Sequence, residues 1–249
     1  MPDSLGVRAK FGVLAPSTNT SVQPELDAMR PWGVTHHHSR LVIPDTRVSD
    51  DASFMAMMEN IRAALLPALD SVLSCHPDYV VLGMSAETFW DGLEGSRRMK
   101  RELQKRAKTG VTLGSDACRA ALRAYGRGIR RIGVITPYMP VGDRQVRRFF
   151  ADCGFQVVNL LGLKCRSPAL IAHVSKQALR DAIVRVNRGK VDAIVQVGTN
   201  LAMAEVAATA EFWLGKPVIA INTATYWHAL RRYGIRDRIH GWGSLLAEH

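Results

Sequence analysis

The sequence predicts an α/β protein made of two similar lobes, with the ends of their strands facing each other across a cleft. Three observations carry this reading. Short apolar runs rich in β-branched residues, such as Tyr79-Val-Val-Leu82, alternate with longer stretches of helical period; such runs read as strands buried on both faces of a parallel sheet. The pattern also repeats within the chain. Asp78-Tyr-Val-Val-Leu-Gly-Met-Ser-Ala aligns without gaps on Asp192-Ala-Ile-Val-Gln-Val-Gly-Thr-Asn200, Gly12-Val-Leu-Ala-Pro16 on Gly133-Val-Ile-Thr-Pro137, and Ala121-Leu-Arg-Ala-Tyr-Gly126 on Ala229-Leu-Arg-Arg-Tyr-Gly234. All three pairs keep the same order, and their long period excludes a solenoid. Third, the repeated strands run out into small and polar residues, where ligands of open α/β sheets sit. The boundary between the lobes is expected near residues 127 and 128, giving lobes 1–127 and 128–249.

The elements follow in order. Phe11-Gly-Val-Leu-Ala15 is the first strand, and Pro16-Ser-Thr-Asn-Thr20 is a polar loop at its carboxyl end. Pro24 suits the first turn of a short helix, to Met29. Residues 34–43 form a second strand containing His36-His-His38. Strand side chains alternate, so only His36 and His38 share a face; with no histidine or glutamate at helical spacing nearby, they read as strand residues and no metal is assigned. Residues 44–51 form a loop long enough to reach over the cleft, and 53–74 a long helix with Met57, Ile61, Leu65, Leu69 and Val72 inward. The central strand, a basic helix, a strand at 111–114 and a helix to Tyr125, capped by Ser115-Asp116, complete the lobe. The second lobe repeats the scheme: strand 131–138, helix 142–152, strand 155–163, loop 164–168, helix 175–188, strand 192–197, helix 201–214, strand 217–222 and a last helix. The tail, 235–249, is expected to pack on the other lobe or on a neighbouring subunit, which leaves a homo-oligomer open.

Composition narrows the function. Of 249 residues, 47% are hydrophobic, and no apolar run is long enough to span a bilayer. The start, Met1-Pro-Asp-Ser-Leu-Gly, lacks the charged and apolar regions of a signal peptide, so a cytoplasmic protein is expected. Cys75, Cys118, Cys153 and Cys165 have no CxxC spacing, which argues against structural zinc and a disulfide framework. The net charge of +11 is concentrated in Arg97-Arg-Met-Lys-Arg-Glu-Leu-Gln-Lys-Arg-Ala-Lys108 and two shorter arginine clusters. With no aromatic platform or nucleic-acid motif beside them, these read as solvated faces whose field attracts small anions.

The strand-end loops supply Ser17, Asn19, Ser85, Tyr138, Thr199 and Asn200, mostly neutral hydrogen-bond donors. Several precede helices, whose first N–H groups favour negative charge. Such a cleft suits a small carboxylate, or an enediolate formed from one; the plain alternative is that these residues cap helices and turns. Three of these segments, Pro16-Ser-Thr-Asn-Thr20, Thr136-Pro-Tyr138 and Gly198-Thr-Asn200, resemble maleate cis-trans isomerases, and Ser85-Ala-Glu-Thr-Phe-Trp-Asp-Gly92 resembles arylmalonate decarboxylase. Both belong to the aspartate/glutamate racemase superfamily, and the similarity runs over nearly the whole chain.

The resemblance implies a pseudo-twofold pair of Rossmann-like lobes and no cofactor. It also implies a substrate-binding set of Ser17, Asn19, Met84, Ala86, Arg166, Ser167, Gly198, Thr199 and Asn200, with Ser85 and Tyr138 among the catalytic groups. Racemases and maleate isomerases carry a cysteine at each repeated strand end, and the decarboxylase keeps only the second; here those positions hold Met84 and Gly198. Neither side chain can perform two-base racemisation or add a thiolate to a double bond. Ala86 lacks the hydroxyl the decarboxylase has there.

The proton carrier is therefore open. Glu87 is a candidate general acid or base if burial raises its pKa, and equally a helix-start carboxylate. Cys118 stands in the first turn of a helix, where a thiol pKa falls, unless it is simply a buried cysteine. Ser85 is outside any G-x-S-x-G context. Three functions follow. The first is a cofactor-independent isomerase or decarboxylase acting on a small acid through an enediolate. The second is a non-catalytic carboxylate binder, which restored cysteines at Met84 and Gly198 would reveal. The third is a hydrolase of a small amide or lactone using water activated by Glu87.

Overall fold

A computed structural model describes residues 3–249, so the signal-peptide expectation touches Met1 and Pro2, which lie outside the described residues. The first lobe contains β1 (Ala9–Pro16), α1 (Val22–Ala28), β2 (Val34–Leu41), α2 (Asp51–Leu73), β3 (Tyr79–Leu82), α3 (Gly92–Ala107), β4 (Gly110–Thr112) and α4 (Gly114–Ala124). The second contains β5 (Arg131–Thr136), α5 (Pro140–Asp152), β6 (Gln156–Gly162), α6 (Lys176–Val186), β7 (Ala193–Gln196), α7 (Ala204–Leu214), β8 (Val218–Ala220), α8 (Ile221–Tyr233) and α9 (Ser244–Glu248). Two separate four-stranded sheets result, ordered β2-β1-β3-β4 and β6-β5-β7-β8, and every pairing is parallel. The α/β fold with two matching lobes is as the repeat demands: each lobe has the same strand order because each has the same order of apolar runs.

Helices cover the sheets where their apolar faces require it. Asp50 and Ser53 cap α2 reciprocally, each side chain accepting from the other's backbone N–H. The helix therefore starts at Asp51, two residues before the sequence reading. Its buried stripe, including Met57, Met58, Ile61 and Leu69, packs on β1 and β2. The opposite face of the first sheet is covered by α8, a helix of the second lobe that packs on β3, β4 and α4. Ile221 through Leu230 are all buried, so α8 is apolar-packed all round. One core cluster consequently runs through both lobes, while a second fills the outer layer of the second lobe around Leu179, Ile183 and Ile194.

Several boundaries differ from the sequence reading for local reasons. The strand expected to reach residue 222 stops at Ala220, and Ile221 and Asn222 form the start of α8 instead. Ser115-Asp116 do not cap α4: Ser115 is buried against Ser96 (Oγ–Oγ 2.7 Å), and Asp116 pairs with Lys100 and Arg119. Two short 3-10 segments, Ala86–Phe89 and Ala169–His173, stand where the sequence offered only loop. The tail contacts the first lobe through Arg8 and Asp237 (2.8 and 2.5 Å) and Tyr125 and Ser244 (2.9 Å), with Leu245 and Leu246 buried. No described helix is long and apolar enough to cross a membrane.

Candidate active site

The carboxyl ends of the inner strands β1, β3, β5 and β7 converge between the two sheets, and each contributes one wall of a single cavity. Pro16, Thr18 and Asn19 follow β1; Met84, Ser85 and Ala86 follow β3; Pro137 and Tyr138 follow β5; Gly198, Thr199 and Asn200 follow β7. The remaining wall is apolar: Met57 and Ile61 of α2, with Ile43, Pro168 and Ile171 from the loops. The cavity holds about 50 Å³. A cavity of roughly 150 Å³ is what binds benzene, so a ligand of that size, an aryl group or a malonate alike, fits only with movement of the walls.

The polar wall is one hydrogen-bonded network. Ser85 Oγ stands 2.6 Å from Tyr138 Oη and accepts the Thr199 N–H at 3.2 Å. Serine and tyrosine bring one proton each. One is shared between them, which leaves the other to donate into the cavity. Asn19 Oδ1 accepts from the N–H groups of Ser21 and Val22 at the start of α1, while its Nδ2 donates to Thr199 Oγ1 at 3.2 Å. The Asn200 side chain is fully engaged: Oδ1 accepts from Thr20 N–H, and Nδ2 donates to the carbonyls of Thr18 and Pro168. Asn200 thus stitches three loops together. Tyr138 is 4% exposed, and burial pushes its phenol well above the usual range, so it stays protonated and acts as a donor. Its ring stacks edge-on against Phe54 at 5.6 Å.

No charged side chain lines the cavity. A bound anion would be held by neutral donors fixed in place by the fold, which need no rearrangement as charge develops.

Two residues that the sequence reading passed over support this wall from beneath. Asn222 Nδ2 donates to the Thr199 carbonyl (2.9 Å) and to Glu25 Oε2 (2.6 Å), and Glu25 Oε1 accepts the Ala204 N–H (2.9 Å). Burial raises the Glu25 carboxyl to about 7, against the hydrogen bonds that lower it. Asn222 closes an apolar run and Glu25 follows a helix-opening proline, so each read as ordinary local structure. Thr18, inside the quoted Pro16–Thr20 motif, was the findable omission.

Of the residues proposed from sequence, Asn19, Met84, Ser85, Ala86, Tyr138, Gly198, Thr199 and Asn200 meet at the cavity. Four others do not. Glu87 points to a different depression, between α2 and α3, where Oε1 accepts from Arg62 Nε at 2.9 Å. Its pKa is indeed raised by burial, with Arg62 opposing, but it has no access to the cleft as general base. The 3-10 turn at Ala86–Phe89 rotates it outward. Ser17 is exposed and hydrogen-bonded to the backbone of Ile43, tying β1 to the loop that follows β2. Arg166 is exposed, and its carbonyl accepts the Val48 N–H at 2.7 Å. Ser167 Oγ accepts from Leu170 N–H at 3.3 Å, at the start of a 3-10 turn. Cys118 is fully buried, and burial drives its thiol upward rather than the helix terminus drawing it down.

Met84 and Gly198 occupy the two repeated strand ends differently. Met84 is 2% exposed and fills space in the cavity wall. Gly198 has φ +113°, and a Cβ there would stand 2.4 Å from Pro137 Cδ. Both the backbone conformation and the neighbouring proline demand glycine.

Known proteins share this architecture. Curated maleate isomerases of Pseudomonas putida and Alcaligenes faecalis are each 23% identical over 96% of this chain, and 97% and 96% of their own. A Nocardia farcinica maleate cis-trans isomerase mutant with a covalently bound succinylcysteine intermediate superposes with TM-score 0.86 at 20% identity, covering 96% of this chain and 98% of that one. Arylmalonate decarboxylase superposes with TM-score 0.77 at 20% identity, covering 96% and 100%. At such identities the structural likeness speaks to the fold. Family membership rests on the match of the arylmalonate decarboxylase family model to residues 13–246, nearly the whole chain: this protein belongs to that family.

Proposed function

We propose that this chain is a cofactor-independent isomerase or lyase acting on a small carboxylic acid, through an enediolate held by neutral donors. The observation that carries this is the convergence of Asn19, Ser85, Tyr138 and Thr199, from four strand ends, on one small cavity without a charged side chain. An enediolate places its negative charge on two oxygens. Preorganised donors aimed at those oxygens stabilise it more than they stabilise the starting acid, which is how they accelerate its formation.

Decarboxylation suits the geometry better than thiolate-assisted isomerisation. The Nocardia enzyme forms a covalent cysteine adduct, and Met84 and Gly198 supply no thiolate for one. In a malonate-type acid, one carboxylate would lie on the donor wall and the other against Met57, Ile61 and Ile171. A carboxylate facing that apolar wall loses hydration and leaves as CO₂ more readily. The C–C electron pair passes into the enediolate, and the α-carbon is then protonated from the Ser85–Tyr138 pair or from water.

Proton NMR in deuterated water, on a panel of malonates, maleate, maleamate and hydroxy acids, tests the proposal. Turnover of a small alkyl malonate with deuterium at the α-carbon is expected. No turnover and no α-deuterium exchange across the panel would overturn it. One observation favours a second reading, a carboxylate binder without chemistry: neither strand end keeps a thiol. That reading expects calorimetric binding of a panel acid without any exchange.

A further inference from the structure

The sequence reads the histidines of β2 as strand residues, and the proposed reaction does not use them. We propose that Asp27, His36 and His38 form a binding site for one divalent transition-metal ion of the zinc type, bridging α1 to the edge strand β2. One ligand atom from each of the three residues lies within 4.8 Å of the others. A tetrahedral zinc ion with bonds of about 2.0–2.1 Å holds its ligand atoms about 3.3 Å apart. Binding an ion requires the longest separation to close and the 2.7 Å contact between Asp27 and His36 to open to about 3.3 Å.

Two features suit a cation here, and the second is not explained by packing alone. His36 Nδ1 lies 2.7 Å from Asp27 Oδ1, and its Nε2 lies 3.0 Å from Tyr226 Oη. Without an ion, Nδ1–H donates to the carboxylate and the Tyr226 hydroxyl donates to Nε2; a bound ion would take the place of that Nδ1 proton. A metal ion in that place leaves every group matched: Nδ1 and the carboxylate bind the ion, and Nε2–H donates outward. Ligating histidines usually donate their second ring N–H in this way, which sets their orientation. The other feature is His38. Both of its ring nitrogens are buried, and neither has a hydrogen-bond partner among the described residues. Coordination would satisfy one of them. Two imidazoles and one carboxylate, with a position left for water, suit zinc, cobalt or nickel; magnesium and calcium prefer oxygen ligands throughout.

The site also has a structural consequence. Arg40, on the same face of β2, donates to the Asn19 carbonyl at 2.9 Å and to Gln23 Oε1 at 2.9 Å. An ion two residues along the same row would brace α1 against β2 immediately behind the loop that carries Asn19.

The test is zinc titration of the untagged, chelator-stripped chain, by calorimetry and by competition with a chromophoric chelator. One ion per chain is expected, with affinity reduced at least tenfold in His38→Ala and in Asp27→Ala. His37→Ala, on the opposite face of the strand, is expected to change affinity less than twofold. Asp27 is half-exposed, so its variant keeps the test alive if His38→Ala does not fold. Added zinc should raise the melting temperature of the native chain and not of Asp27→Ala. No zinc binding by the native chain would overturn the proposal. So would a loss below tenfold in the Asp27 or His38 variants, or an equal loss in His37→Ala, which would mark the three histidines as a non-specific surface cluster.

Discussion

The end of β3 and the end of β7 are the same place in the two lobes, yet they have departed from each other in kind. At β3 the position holds Met84, a flexible buried side chain that can be replaced without straining the backbone. At β7 it holds Gly198, at φ +113°, with Pro137 packed where a side chain would begin. One half of the site is a side-chain choice, and the other is a backbone commitment. The repeat therefore keeps a hydroxyl residue at both strand ends, Ser85 and Thr199, while the positions just before them have diverged. A double cysteine replacement, which from sequence alone looks like a restoration of symmetry, is not equally available at the two ends.

The largest effect expected from this difference is on stability. Gly198→Cys forces an L side chain into a left-handed conformation and against Pro137, at a cost of about 3 kcal/mol. Met84→Cys removes buried volume and costs about 1–2 kcal/mol. Urea unfolding of the two variants measures both. A Gly198→Cys protein within about 1 kcal/mol of wild type would mean that the loop after β7 is as adaptable as the one after β3, and the contrast would fail.

A smaller effect belongs to the hydroxyl pair that joins the lobes. Tyr138→Phe keeps the ring against Phe54 and deletes only the bond to Ser85 Oγ. The phenol's hydrogen bond to an anionic state is worth about 1.5–3 kcal/mol, so about a ten- to a hundredfold loss in affinity or turnover is expected. Calorimetric binding of the best panel acid, alongside kcat, checks it. Unchanged values would make Tyr138 a packing residue and leave Ser85 as the donor of the β3 end alone.

The smallest effect sharpens the comparison through pH, because only the β7 end rests on a titratable group. Glu25 is raised from 4.5 to about 7 in the folded chain. A carboxyl that holds its proton more tightly when folded contributes stability that is full below about pH 4.5. That contribution is lost as pH rises through about 7. Glu25→Gln should flatten this part of the stability profile, measured as urea midpoints between pH 4.5 and 8. Asp143, raised by burial to about 6, titrates in the same window, so the diagnostic is the difference between variant and wild type. An identical slope in the variant would remove Glu25 as the source.

The two-lobed α/β fold was legible in the sequence alone, because the apolar runs and their repetition are local properties of the chain; the order of the strands within each sheet was not. The sequence also pointed to half of the residues that line the cavity, Asn19, Ser85, Tyr138 and Thr199 among them, because these stand at strand ends, where a parallel sheet presents its loops. The tertiary structure decided what lies behind and beside that wall. Glu87, two residues past Ser85, is turned away by a single 3-10 turn toward Arg62. Asn222 and Glu25 reach Thr199 and Ala204 from distant segments, and no spacing in the chain announces that meeting. Likewise, His36 and His38 could be placed on one face by alternation, but only packing brought Asp27 to them and left His38 without a partner. Gly198 was visible as an absent thiol; that it cannot accept one depended on Pro137, from another strand, closing over it. Local periodicity dictates which face a residue takes, and contacts between segments far apart in sequence dictate what that face meets.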